Sequence, residues 1–582
     1  MTHGGHSNPA TIRPNGKANK SALTGPTSLH ALLVAAMAGS GLMTTARAAQ
    51  ADGDTAKLRQ LEAKILQIQR QNQAEIAELQ HEVRQIKEAQ RQPAPVVATA
   101  SNQVVYAQPA AAPTTSNNGR SSPFAPKLIE SPTHQFGLSS ANGANTLSII
   151  ARFQFDGADY LHIAPQGGIA RGAGPGSTSG GPLDSGINAR RARLGIAGTF
   201  QNDFAYRFIY DFGGSSDSQT AGVSGASTSG IENGYITYNG FYHPEYRVPV
   251  ALDLGYLDVP WTLDEATSSN DIMFLERASS QVIATEFGGG DFRSAFGGRS
   301  NNRRYWVGAY LTGPISGAPH TGAPGPSASV LLRASYRLLQ TPKANLHIGG
   351  DFGHLFQARS AYNGATTGLK TNSPYLVLSD RPELRVDPTN VLNTGGIPTS
   401  NANVMGAETA GNWGPLYVQG EYFRYAIAQF AGGTNPTDGL ANLASPTLNF
   451  DGGYVEGSYS LGGTRQYIPA TGAYSGVIPV EPFDLRTGGW GALELAARYS
   501  TVNLNDGLRA GIAPHLTGGV NGGDQQSYDV GLNWYPNINM KFMVDYSHVS
   551  VNKRKPTTMG AVPIIPDGAG IDAVALRAQF TY

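Results

Sequence analysis

From about residue 130 to the end of the chain, apolar and polar positions alternate. In "TLSIIARFQF", Leu147, Ile149, Ala151, Phe153 and Phe155 share one parity, and Arg152 and Gln154 take the other. "AYRFIYDF" sets Tyr206, Phe208, Tyr210 and Phe212 against Arg207 and Asp211. "RYWVGAYL" gives Tyr305, Val307, Ala309 and Leu311, and "SVLLRASYRLL" sets Val330, Leu332, Ala334, Tyr336 and Leu338 against Arg333, Ser335 and Arg337. "NLHIGGDFGHLF" and "KFMVDYSHV" repeat the pattern, and "DAVALRAQFTY" closes the chain with it. A period of two predicts β-strands with one apolar and one polar face. Gly-, Ser- and Pro-rich breaks between the runs predict turns and loops.

Residues 56–91 follow another rule. They contain no Gly or Pro, and Leu58, Leu61, Ile65, Ile68 and Asn72 recur at alternating steps of three and four. Ile76, Leu79, Val83 and Ile86 resume the stripe after one extra step of four. This predicts a coiled-coil helix with a stutter, Asn72 helping to set register and strand number. Residues 93–129, rich in Pro, Ala, Ser and Thr, predict an extended linker. Near the start, "LHALLVAAMAGSGLMTTARAAQ" follows Arg13, Lys17 and Lys20 and ends in Ala46-Arg47-Ala48. That pattern predicts a secretory signal peptide cleaved after Ala48. The expected division is therefore 1–48 signal peptide, 49–92 coiled coil, 93–129 linker and 130–582 β-domain.

Composition narrows the β-domain. Charged residues make up 14% of the chain against roughly 25% in ordinary soluble domains. The formal net charge is zero, so nothing marks a nucleic-acid partner. Cysteine is absent. A soluble sandwich or β-helix would hide the apolar faces inside; a membrane barrel would turn them to lipid and keep its polar faces around water. The aromatic-rich alternating faces, the many charges opposite them, the export signal and the aromatic last residue all favour the barrel. Hydrocarbon would cover the face of Val574 to Tyr582, and the first strand would pair with its edge. About 450 residues fit about 14 to 18 strands. A barrel of that size is expected to enclose an aqueous lumen, with Trp261, Trp306, Trp413, Trp490 and Trp534 in its interfacial girdles.

Several stretches resemble the phosphate-selective porins of the O/P type: "RRARLGIAGTFQNDFAYRFIYDFG", "LGYLDVPWTLDEATSSNDIMFLERA", "ARYSTVNLNDG" and "GLNWYPNINMKFMVDYSHV". The resemblance implies an all-β, 16-stranded transmembrane antiparallel barrel, trimeric, in the outer membrane of a Gram-negative bacterium. It implies pore-facing arginines and a constriction of Arg, Lys and Ser. Arg152, Arg190 and Arg191 stand where the family places such arginines, and Ser268 and Ser269 stand in its "TSS" motif. This chain has Glu265 and Asn270 where selective members carry lysines, and its β-domain leans slightly acidic. Guanidinium groups present several N–H donors to phosphate oxygens, and serine hydroxyls add donors without charge.

The candidate pore-lining and anion-binding set is Arg152, Arg190, Arg191, Arg193, Arg207, Ser268, Ser269, Arg333, Arg337, Arg498 and Arg577. The inward arginines admit two readings, a track for anions or pairing with wall carboxylates such as Asp211, Glu421, Glu494 and Asp545. Loop 261–280 is either a constriction folded into the lumen or an ordinary connection. No G-x-S-x-G, H-E-x-x-H or Walker pattern occurs, and the histidines lack metal-ligand spacing. No enzyme activity, cofactor or metal is expected. The expected function is a porin: a water-filled channel for passive diffusion of small hydrophilic solutes, with a preference for phosphate or other small inorganic anions in question. The alternative is a structural protein that tethers the envelope to the cell wall through its coiled coil in the periplasm, with weakly selective or cation-preferring conductance. Expected partners are outer-membrane lipid and further copies of the chain in a homotrimer.

Overall fold

The computed structural model describes residues 126–582, apart from 132–134, 165–168, 171–179, 182, 214–229, 242–248, 291–292, 316–326, 361–373, 431, 434–439, 510–511 and 554–568. The expected signal peptide and coiled coil, and most of the expected linker, lie outside the described residues. The rest forms a closed antiparallel barrel of 16 strands. In chain order these are β1 (Thr146–Ala164), β2 (Gly186–Phe200), β3 (Phe204–Asp211), β4 (Gly230–Tyr238), β5 (Val250–Leu257), β6 (Arg293–Asn301), β7 (Tyr305–Ile315) and β8 (Ala328–Gln340). They continue as β9 (Ala344–Gln357), β10 (Ile397–Trp413), β11 (Leu416–Gln429), β12 (Thr447–Leu461), β13 (Ala492–Asp506), β14 (Val520–Asn537), β15 (Met540–Asn552) and β16 (Ala569–Thr581).

Each strand pairs with the next, and β16 returns to β1 with Arg577 opposite Asp156 and Phe580 opposite Phe153. Tyr582 and Ala151 exchange backbone hydrogen bonds of 2.8 Å in both directions, so the terminal residue seals the seam. Closure leaves no sheet edge without a hydrogen-bond partner in hydrocarbon. A hairpin of Lys127–Glu130 with Phe136–Ser139 extends the sheet beside Thr146–Ser148 below that seam.

The outer face follows the alternation. Phe153, Phe155, Phe208, Leu311, Leu332, Val544, Leu576 and Phe580 are exposed, while Arg152, Gln154, Arg333, Asp545, Arg577 and Gln579 are buried toward the interior. Trp413 and Trp490 are exposed, and Trp534 stacks on Phe542 at 5.5 Å between ring centres. Trp261 and Trp306 depart from the girdle expectation: both are buried inside the barrel. Trp306 has the inward parity of β7, and its Nε1 donates to the Ala470 carbonyl at 3.0 Å. Trp261 lies on the connection between β5 and β6, where Nε1 donates to the Leu332 carbonyl at 3.1 Å.

The lumen is not simply a water-filled tube. Among the described residues, three connections enter it: 258–290 between β5 and β6, 376–396 between β9 and β10, and 465–477 between β12 and β13. In the half nearer the long loops, Leu331, Leu355, Val404, Ile427, Phe450, Val502 and Val549 of β8 to β15 point inward. They form one apolar cluster with Ile283, Ala284 and Phe287 of the first connection and Leu378, Val391 and Leu392 of the second. Phe287 stacks on Tyr425 at 5.6 Å. Apolar inward side chains have no lipid to meet, so the connections fold over them as the core of a soluble domain would.

Candidate functional site

The first connection reads "DVPWTLDEATSSNDIMFLERASSQVIATEFGGG". It carries two short helices, α1 (Leu263–Ala266) and α2 (Ser279–Thr285), and every residue of both is buried. An irregular backbone inside a barrel has no sheet ladder to satisfy it, so its polar groups need other partners. The wall supplies them. Asp351 accepts the Thr262 N–H at 3.2 Å, and Glu421 accepts those of Leu263 and Asp264 at 2.6 and 3.1 Å. Asp545 accepts the Leu275 N–H at 2.7 Å. Carbonyls are met from the other side. Lys541 donates to Ile272 at 2.5 Å, Asn533 to Met273 at 2.8 Å, Arg577 to Leu275 at 2.6 Å and Arg498 to Glu276 at 2.7 Å.

Thr262, just before α1, stands at φ 67°, a region that β-branched residues rarely adopt. Its hydroxyl accepts the Glu265 N–H at 3.2 Å and caps α1. The bond to Asp351 and this cap hold the entry of the connection in one conformation. Asp351, Glu408 and Glu421 bring carboxylate oxygens within 4.8 Å of one another. Glu408 is gripped by both arms of Arg333, each at 2.9 Å, and the other two hold the loop backbone, so this cluster is an anchor.

The tip of the connection carries the two serines. Arg152 Nη1 donates to Ser269 Oγ at 2.6 Å, and Gln579 Nε2 donates to the Asn270 carbonyl at 3.1 Å. Glu265 is turned to Gln281, whose Nε2 donates to it at 2.7 Å, and does not line the cavity described next. A bulge in β2 pairs Gln154 with Arg191 and Phe155 with Ala189, leaving Arg190 as the extra residue. Two consecutive arginines are thereby buried inside. Arg191 donates to Gln154 at 2.8 Å, and Arg190 makes a forked pair with Glu276 at 2.6 and 2.9 Å.

A cavity of about 60 Å³ lies between the serine tip and the wall. Arg152, Arg193, Arg207 and Arg299 line it with Ser268, Ser269, Glu232 and Asp258. Ala470 and Thr471 of the third connection close one side. Two of the guanidiniums are held by carboxylates: Arg193 bonds Asp211 at 2.8 Å and also Glu232, and Arg299 bonds Asp253. Tyr310 adds its hydroxyl to Asp253 at 2.8 Å. Buried positive charge demands such partners, and they offset part of its field.

Five of the eleven residues singled out from the sequence thus meet at one cavity: Arg152, Arg193, Arg207, Ser268 and Ser269. The other six lie elsewhere in the lumen. Arg190 and Arg191 sit behind the serine tip. Arg333 holds Glu408 and the Thr471 and Gly472 carbonyls at 2.7 and 2.8 Å. Arg337 lies over the Tyr467 ring at 4.2 Å. Arg498 pairs with Glu383 at 2.6 Å and Asp529 at 3.1 Å, and Arg577 with Asp156 at 2.7 and 2.6 Å. Arg299, Glu232, Asp258 and Thr471 were missed. Arg299 follows "FGG" in β6, where paired glycines blur the alternation that marked the other strands.

Two loop carboxyls are shifted by this packing. Burial raises Asp271 to about 6, against the opposing pull of the Gly476 N–H and Arg465. Burial raises Glu383 to about 7, although Arg498 beside it pulls the other way.

Compared with known proteins, residues 178–582 match the family model for phosphate-selective porin O and P. Porin O of Pseudomonas aeruginosa is 23% identical over 383 residues, which is 62% of this chain and 76% of that protein. An uncharacterized protein of Caulobacter vibrioides is 29% identical over 181 residues, 31% of each chain. Among solved structures, OmpT, an outer membrane protein of Vibrio cholerae, aligns with a TM-score of 0.39 at 11% identity, covering 75% of this chain and 98% of that one. An anion-selective porin from Comamonas acidovorans aligns with a TM-score of 0.38 at 10% identity, covering 75% of this chain and 100% of that one.

Proposed function

The chain belongs to the phosphate-selective porin O and P family, an outer-membrane protein that forms a channel for passive diffusion of small hydrophilic solutes, and we propose that it prefers small oxyanions, phosphate among them. The observation that carries this reading is the cavity where Arg152, Arg193, Arg207 and Arg299 converge on Ser268 and Ser269. A passing oxyanion meets N–H and O–H donors there in a narrow, poorly solvated space, where attraction to fixed positive charge is strengthened. Glu232 and Asp258 share the lining, so the preference is modest. The remaining wall arginines act as fasteners of the folded connections.

Family and fold are those of a channel, and the absence of any catalytic step is part of this reading. So is a homotrimer of such barrels, each with its own pore. The division into signal peptide, periplasmic coiled coil, linker and barrel is kept as the working organisation of the chain.

Planar-bilayer recording in a potassium chloride gradient tests the reading. The reversal potential takes the sign of anion preference, added phosphate reduces chloride current, and Arg152→Gln lowers the anion-to-cation permeability ratio several-fold. A reversal potential of the opposite sign for the unaltered protein sinks the anion reading and leaves the channel intact.

A further inference from the structure

The connection between β12 and β13 does two things at once. Its neck pairs Gly463 with Pro479 and Thr464 with Ile478. Between them, residues 465–477 fold into the lumen. Arg465 makes a forked pair with Glu494 at 2.6 and 2.9 Å and donates to the Asp271 carbonyl at 2.5 Å. Gly472, at φ 63°, lies so close to Trp306 that a Cβ there would stand 2.8 Å from the indole's own Cβ. This inner hairpin presents Ala470 and Thr471 to the cavity.

Beyond the neck the chain turns outward. Residues 480–490 form a tight turn in which Asp484 N–H bonds the Gly489 carbonyl at 3.0 Å and the Gly488 N–H returns to Asp484 at 2.9 Å. The turn is docked on the outer wall. Phe483 N–H bonds the Pro536 carbonyl at 2.6 Å, and its ring meets Trp534 edge-on at 5.4 Å. Trp534 Nε1 donates to the Trp490 carbonyl at 2.9 Å. Yet Val480, Leu485 and Trp490 are 81%, 82% and 75% exposed. Asp484 and Arg486 pair with each other at 2.9 Å.

We propose that residues 480–490 are a membrane-interface anchor, a flap lying among the phospholipids of the leaflet at the short-turn end, which keeps the inner hairpin seated against the cavity. Lipid is the occupant because the apolar side chains of the flap continue the outward band of Leu493, Leu495, Leu532 and Phe542, the face that meets hydrocarbon. The turn pairs its backbone partly within itself, through Asp484, Thr487 and Gly488, and partly with the wall, through Phe483 and Trp490, as a segment in the interface must. Its two aromatic residues, Phe483 and Trp490, and its charged pair suit the boundary between acyl chains and headgroups. Tension on one half of the connection is felt by the other through the two-rung neck. The bilayer therefore steadies a cavity wall that faces water.

The chain contains no cysteine, so single-cysteine variants label at one place. Nitroxide labels at Leu485→Cys, at Leu495→Cys in the lipid-facing band and at Arg303→Cys in an exposed short turn are compared in liposomes. At 485 the label is expected to meet dissolved oxygen more readily than an aqueous nickel complex, ranking between the two references. A label at 485 that behaves like the one at 303 places the flap in water and overturns the proposal. Shielding from both reagents places protein over it, in a contact between copies, and also overturns it. The triple variant Val480→Ser, Leu485→Ser, Trp490→Ser keeps the Trp490 carbonyl and is expected to show several-fold more frequent brief transitions in single-channel current. An unchanged current trace refutes the coupling to the hairpin.

Discussion

The two sectors of the barrel interior are built on opposite principles. From β8 to β15, near the long loops, the wall points apolar side chains inward, and α2 with residues 376–396 packs onto them as a dry core. From β1 to β6 the same alternation points Arg152, Arg193, Arg207 and Arg299 inward, and a cavity remains. The outward faces of both sectors are alike. What differs is the inner residue type, apolar in the long-loop half of β8 to β15 and charged around the cavity and in the other half of those same strands. The packed sector decides where the first connection sits, and the cationic sector uses that position. The serine tip is held against Arg152 because Phe287, Ile283 and the anchors at Glu421 and Asp545 fix the rest of the connection.

Truncation in the packed sector tests this hardest. Phe450 is almost fully buried against the connection. Phe450→Ala removes a large buried ring and is expected to cost about 3–5 kcal/mol. Denaturant unfolding of the detergent-solubilised barrel measures it. Arg207→Ala, at the cavity, serves as the comparison and is expected to cost much less. Equal losses from the two substitutions would show that the sectors do not divide stability and selectivity between them.

Glu276 sits at the seam between the sectors and sharpens the comparison next. It receives Arg190 at 2.6 and 2.9 Å and Arg577 at 3.0 Å. Glu276→Gln leaves two buried guanidiniums short of a counter-charge. The expected loss is about 3 kcal/mol, the low end for a broken buried pair, because Arg577 keeps its forked pair with Asp156 at 2.7 and 2.6 Å. The freed positive charge should also raise the anion-to-cation permeability ratio. Loss of stability with an unchanged ratio would show that Glu276 acts as a fastener only.

Much of this was legible from parity. The alternation marked the strands, the lipid-facing side chains and the inward arginines before any partner was known. It also held a warning that was overlooked. With Tyr305 and Val307 on the apolar face of "RYWVGAYL", Trp306 falls on the inner parity and cannot be a girdle residue. What parity cannot supply is pairing across the lumen. Asp156 and Arg577 are 421 positions apart, and only barrel closure makes them neighbours. The connection at 462–491 escaped because its Gly, Pro and mixed residues carry neither period. The packed lumen escaped because apolar residues on the inner parity, such as Val549 and Val551, read as breaks in a pattern rather than as a second core.

The finest discrimination between the sectors comes from pH. Asp271 stands at the serine tip, facing Arg465, Lys541 and Arg152, and burial raises it to about 6. Glu383 belongs to the packed side. It accepts the Ser279 N–H at 2.9 Å, faces Arg498 and Asp529, and burial raises it to about 7. Each group is a carboxylate above its own value and neutral below it. Acidification from pH 8 to pH 5 therefore removes negative charge at both, first at Glu383 and then at Asp271. Anion preference should rise as pH falls, read as a growing reversal potential in a fixed salt gradient. Linkage gives the stability sign. A carboxyl raised above its unfolded value stabilises the fold fully below that lower value, and the contribution is lost as pH rises through the folded one. These two groups thus make the barrel easier to unfold at pH 8 than at pH 5. Glu383→Gln should shrink the rise near pH 7 and leave the rise near pH 6, because the two carboxyls report on different sectors. A reversal potential that is flat across this range, or that moves toward cations in acid, would mean that neither carboxyl is felt by the passing ion.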